Sequence, residues 1–74
     1  MSKLPSNFKQ IEVEGVRVGY IKHDLIGNTT LKRYEIAIEV NGEFRKITRL
    51  CEEVIFLDVV KELVFLEKLK SRNK

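Results

Sequence analysis

Val54-Ile55-Phe56-Leu57-Asp58-Val59-Val60-Lys61-Glu62-Leu63-Val64-Phe65-Leu66 contains only three polar residues, Asp58, Lys61 and Glu62. Projected at roughly 100° per residue, Ile55, Phe56, Val59, Val60, Leu63, Val64 and Leu66 form one broad face that suits a helix covering a sheet. Val54 and Phe65 fall almost opposite, between Asp58 on one side and Lys61 and Lys68 on the other, with Leu57 and Leu69 flanking them. A second apolar stripe on a surface helix implies a second burial partner, most simply another copy of the chain. The stretch therefore predicts a long C-terminal helix and a homodimer with Val54, Leu57, Phe65 and Leu69 at its interface.

Upstream the period changes to two. Ile11 and Val13 alternate with Gln10, Glu12 and Glu14, and after Gly15 come Val16, Val18 and Tyr20. A two-residue turn at Glu14-Gly15 pairs Val13 with Val16, Ile11 with Val18, and Glu12 with Arg17 on the other face. Residues 23–31 read as a loop, with turn chemistry at Gly27, Asn28, Thr29 and Thr30. Tyr34, Ile36, Ile38 and Val40 then alternate with Arg33, Glu35, Ala37 and Glu39, a clear strand. Asn41-Gly42 is a strong hairpin signal, followed by a return strand from Glu43 to Thr48. A three-residue loop there buries the Phe44 ring with Ile38 or Val40, and is the expected connection. Thr48 is the expected helix N-cap, with Glu52 and Glu53 in the first turn and Lys68, Lys70, Arg72 and Lys74 near the other end, as the helix dipole favours. The expected fold is α+β: two antiparallel hairpins forming a four-stranded sheet, then one C-terminal helix, in the order ββββα. Residues 1–7 read as a loose N-terminal segment and 8–74 as a single domain.

A chain of 74 residues buries only about 60% of its unfolded surface, and small domains compensate with disulfides, metals or association. Cys51 is the only cysteine and His23 the only histidine, so neither a disulfide nor a metal site is expected. Self-association is the remaining device, and it agrees with the two-sided helix. Lys3, Pro5 and Lys9 interrupt the N-terminus before an apolar run forms, so no signal peptide is expected. The Val54–Leu66 stretch is too short and too charged to span a bilayer. A reduced, cytoplasmic setting without membrane contact follows as the expectation.

Catalysis has little support in the residues. His23 and Asp24 are adjacent, so their side chains diverge, and there is no glycine-rich phosphate loop. Cys51 falls in the expected first helical turn, which lowers a thiol pKa, but Glu52 and Glu53 oppose that, and a small buried apolar role suits it better. No catalytic residue and no cofactor are expected. The charge pattern is more informative, although the formal net charge is only +3. On antiparallel strands Lys22, His23, Lys32, Arg33, Lys46 and Arg49 gather at one end, and Glu12, Glu14, Glu39 and Glu43 at the other. Such an end attracts phosphates. Tyr20 and Tyr34 lie near it but carry the parity of the core-facing residues, so packing against the helix is their expected role.

Arg45-Lys46-Ile47-Thr48, with Glu52, Val54 and Leu57 beyond, resembles the basic pair, isoleucine and hydroxyl run at the last strand and helix start of the positive-cofactor-four group of transcriptional coactivators. That resemblance covers about a third of the chain. Val54 stands where the family has a tryptophan, Cys51 where it has a proline, and the family's basic sheet face is not reproduced. The resemblance implies a dimer paired through its helices and single-stranded DNA bound by the sheet, with Arg45 and Lys46 as phosphate contacts. The leading expectation is thus a small homodimeric nucleic-acid-binding protein, a regulatory or genome-maintenance accessory, for single- or double-stranded nucleic acid. The alternative is a non-catalytic protein-interaction module, such as a small inhibitor or adaptor of a virus or mobile element, using the second helix stripe or a sheet edge.

Overall fold

The structure, a computed structural model, describes residues 6–27 and 29–72, with the backbone alone for residues 71 and 72. The expected loose segment lies largely outside these residues, as do Asn28 and Lys74. Strands β1 (Lys9–Val13), β2 (Val16–Asp24), β3 (Leu31–Val40) and β4 (Glu43–Glu52) form one antiparallel sheet in sequence order. A 3-10 turn over Glu53–Ile55 leads into helix α1 (Phe56–Arg72). The α+β order ββββα is thereby seen.

The first hairpin has the expected register, Val13 opposite Val16, Glu12 opposite Arg17 and Ile11 opposite Val18. Both turn residues have positive φ, 53° at Glu14 and 77° at Gly15, which matches the twist of the flanking strands. The second hairpin corrects the expected three-residue loop. Val40 pairs directly with Glu43 across Asn41 (φ 53°) and Gly42 (φ 82°), so the connection is the tight two-residue type. Asparagine and glycine tolerate that geometry well, and turn chemistry outweighs burial of one phenyl ring. Phe44 consequently sits opposite Glu39, on the sheet face away from the helix, where it is half-buried.

The loop between β2 and β3 is shorter than expected, because His23, Asp24 and Leu31 belong to strands. Strand β4 also runs past Thr48 to Glu52, held by pairing from Leu31 opposite Glu52 through Glu35 opposite Thr48. Thr48 is therefore mid-strand and caps nothing. Glu52 takes the N-cap position of the 3-10 turn, in extended conformation and with no side-chain cap bond. Cys51 correspondingly lies near the end of β4 and not in a helical turn.

The helix lies against β1, β3 and β4. Phe56, Val60, Leu63 and Val64 meet Val13, Val18, Tyr34, Ile36 and Ile38 in one core. Val60 and Val64 are almost fully buried, each contributing about 1.5–3 kcal/mol by the area removed from water. Phe56 stacks on Tyr34 with ring centroids 4.0 Å apart and meets Tyr20 at 4.8 Å, which seats the start of the helix on β2 and β3. Ile55 and Leu66, expected to face the sheet, are each 42% exposed. The 3-10 turn offsets Ile55 from the helical phase, and the buried stripe is centred so that Glu67, not Leu66, turns inward. Among the described residues no helix is long and apolar enough to cross a membrane.

Candidate functional site

Strand register decides where the expected cations stand. His23 lies opposite Arg33, and Arg33 opposite Leu50; Lys22 lies opposite Tyr34, and Tyr34 opposite Arg49. Lys32 pairs across to Asp24 and to Cys51. Lys22, His23, Lys32, Arg33 and Arg49 therefore do share one end of the sheet. Lys46 does not: it lies opposite Ala37, in the middle of the sheet, and Arg45 lies opposite Ile38 beside it. The extra length of β4 causes this difference, since the strand ends well beyond Thr48. Alternation also divides the group. Lys22, Lys32, Arg45 and Arg49 have the parity of the helix side, whereas His23, Arg33 and Lys46 belong to the outer face.

Carboxylates accompany the cations at that end. Lys22 donates to Glu53 at 2.9 Å, Lys32 donates to Asp24 at 2.9 Å, and the His23 Nε2 meets the Glu35 carboxylate. Hydrogen bonding to Glu53 raises the Lys22 ammonium above its ordinary pKa, and the same bond holds Glu53 below the usual carboxylate range. Asp24 is lowered likewise by its bond from Lys32. The Thr30 hydroxyl donates to Glu52 at 2.7 Å. The separation of charge along the strands is thus weaker than the sequence pattern suggests, because β4 and the 3-10 turn deliver Glu52 and Glu53 to the basic end. The available sequence signal is the pairing of Asp24 with Lys32 across a short β2–β3 connection, which a longer loop would not permit.

Arg33, Lys46 and Arg49 form no ion pair with a carboxylate among the described residues; Arg49 Nη1 donates to the Thr48 carbonyl oxygen at 2.9 Å. Phe44, Lys46, Thr48 and Leu50 line the outer face of β4, opposite Glu39, Ala37, Glu35 and Arg33 of β3 in turn. Leu50 is 59% exposed there and Leu31 is also exposed. An aromatic ring and two cations on an open sheet face can hold a base by stacking and a phosphate by charge. On the helix side, Lys9 and Lys22 rim a cleft of about 280 Å³ whose walls include Tyr20, Tyr34 and Phe56. Tyr34 is buried, stacked on Phe56, and that burial raises its phenol in pKa.

The outer helix surface carries the other expected residues. Val54 (87% exposed), Leu57, Phe65 and Leu69 all lie in solvent in the single chain, joined by Ile55 and Leu66. Glu67 is a residue that the sequence pattern does not single out. It is buried on the sheet-facing stripe, 3.5 Å from Arg45 Nε and 3.5 Å from Lys70 Nζ. Its position eleven residues after Phe56, in phase with Val60 and Leu63, is the sequence signal for it. Lys68 donates to the Glu14 carbonyl oxygen at 2.9 Å, tying the helix to the first turn. Cys51 is buried, and burial pushes its thiol up in pKa. No group of three or more histidine, cysteine or carboxylate side chains suited to a metal ion occurs among the described residues. The chain matches no protein-family model, no curated protein and no solved structure.

Proposed function

We propose that this is a non-catalytic, homodimeric nucleic-acid-binding protein that takes single strands on the outer face of its sheet. The observation that carries the reading is the position of Phe44. The tight Asn41-Gly42 turn puts its ring on the outer face, two residues from Lys46 and on the same side as Arg33. Lys46 and the position facing Arg33 are four residues apart on β4, about 13 Å along the strand. Stacking on one half-exposed ring with phosphate contacts beside it gives sequence-tolerant binding. Of the two phosphate contacts that the coactivator resemblance implies, Lys46 lies on this face, whereas Arg45 lies on the helix side, 3.5 Å from Glu67, and does not support the reading. Binding by cations predicts an affinity that falls with salt.

The test is a salt series with single- and double-stranded oligonucleotides, with sedimentation run alongside. Single strands bind more tightly, and Phe44→Ala weakens them by about 1–3 kcal/mol. Lys46→Glu with Arg33→Glu lowers affinity for all sequences and flattens the salt dependence, while Lys70→Glu changes little. The absence of wild-type binding at low salt overturns the proposal.

A second reading has its own support. Glu12, Glu35 and Glu39 interrupt the cations on the same face, and exposed Leu31 and Leu50 add apolar area near them. Such a mixed face suits a protein partner. Failure of the oligonucleotide test places this protein-interaction reading first.

A further inference from the structure

Four outward residues of the helix region, Val54, Asp58, Lys61 and Phe65, are separated by four, three and four positions. That spacing reads the same in both directions; Asp58, Lys61 and Phe65 share one narrow outward stripe of α1, and Val54, in the 3-10 turn that precedes the helix, lies exposed at its near end. The chemistry is also symmetric in a particular sense. Each end is apolar, and the two inner positions are of opposite charge.

We propose that this stripe is a self-complementary seam, by which two copies of the chain pair their helices antiparallel about a two-fold axis. The proposal rests on the homodimer reading and specifies its interface. With the axis level with the midpoint of Val59 and Val60, Val54 of one chain meets the partner's Phe65, and Asp58 meets the partner's Lys61. The two-fold repeats both contacts, so every exposed apolar end finds an apolar end and every charge finds its opposite. A parallel pair would set Asp58 against its own copy and Lys61 against its own copy. Charge complementarity thus selects a second copy in one orientation.

Two features of the single chain support this occupant. Asp58 and Lys61 are exposed and form no ion pair among the described residues, although they are three apart on one helix, so both charges are available to a partner. Val54 and Phe65 are 87% and 60% exposed, high values for apolar side chains in so small a domain. A spacing of four and three is also the repeat that keeps two helices in contact at a shallow crossing angle of about 20°.

Charge exchange tests the seam. Asp58→Lys places lysine against lysine twice in the dimer, and Lys61→Asp places aspartate against aspartate twice. Each single variant weakens self-association by about tenfold or more, from two lost attractions and two new repulsions. The double variant Asp58→Lys, Lys61→Asp recovers it. An equimolar mixture of the two single variants forms a heterodimer, because both of its inner contacts then join a lysine to an aspartate. One of these contacts lies between the two substituted positions, and the other is the native pairing of Asp58 with Lys61. Sedimentation reads the stoichiometry, and circular dichroism of each variant reports folding; recovery in the mixture shows by itself that both singles fold. If the wild type is dimeric but neither the double variant nor the mixture differs from the singles, the antiparallel seam is wrong and the dimer uses another surface. If the wild type stays monomeric at high micromolar concentration, the seam and the homodimer reading both fail.

Discussion

Glu67 occupies a place on the buried stripe of α1 where an apolar side chain would pack against β4. It is only 6% exposed, its Oε1 has no hydrogen bond, and its ion pairs with Arg45 and Lys70 are long, at 3.5 Å. Ion pairs of that length do not repay the desolvation of a carboxylate. Arg45 and Lys70 are largely exposed and return to water if the carboxylate is removed. Glu67→Met is therefore expected to stabilise the chain by about 1 kcal/mol, a rise of about 4–8 °C in Tm, measured by thermal unfolding. A fall in Tm would assign Glu67 a structural role that its contacts do not reveal. Cys51 offers a second measurement at this scale. Burial raises its thiol pKa, so the thiolate is scarce at neutral pH. Native protein should react with thiol reagents much more slowly than denatured protein, whereas comparable rates would mean that the end of β4 opens readily.

At the scale of elements, the ion pairs act as cross-links between segments of the chain. Lys22 to Glu53 joins β2 to the 3-10 turn, and Lys32 to Asp24 closes the β2–β3 connection. Both carboxylates titrate below their ordinary range, so their contribution to stability is present above about pH 4 and is lost as pH falls through the lower folded values. The Lys22 ammonium has the opposite sign: raised in the folded chain, it contributes at neutral pH and is lost as pH rises past its ordinary alkaline value. Asp24→Asn with Glu53→Gln is expected to make the denaturation midpoint less sensitive to acid below about pH 4, and added salt should have a similar effect. Unchanged acid sensitivity would show that these exposed pairs contribute nothing. The first hairpin is legible in the sequence because alternation and the Glu14-Gly15 turn demand the same register. In the second, the apolar character of Phe44 argues for one register and Asn41-Gly42 for another, and the turn prevails. The helix start is harder to read, because Thr48 looks like a cap locally while pairing with β3 keeps it in a strand. The outer-face cluster of Phe44 and Lys46 depends on both points, so the sequence alone does not present it as a site.

The whole molecule is a thin α-on-β sandwich with exposed surface on both layers. Phe65→Glu puts a charge into the outer helix surface without touching the core, and it should disperse the proposed dimer while leaving the sheet spectrum intact. Loss of one such aromatic from burial costs about 1.5–3 kcal/mol, and a two-fold interface loses it twice. Sedimentation of the variant at the same concentration as wild type checks this, and an unchanged profile would move association away from the helix. The sheet has a further exposed feature at its margin. β4 is ten residues long and has a neighbour on one side only. Alternate amides and carbonyls along it face outward, ready to template another strand. Were two copies to join edge to edge through β4, Arg45, Lys46 and Arg49 of both chains would be crowded along one seam. Their mutual repulsion opposes that pairing. That repulsion is screened in concentrated salt, so edge-to-edge pairing through β4 is expected to strengthen as salt rises, whereas the proposed binding of nucleic acid would weaken.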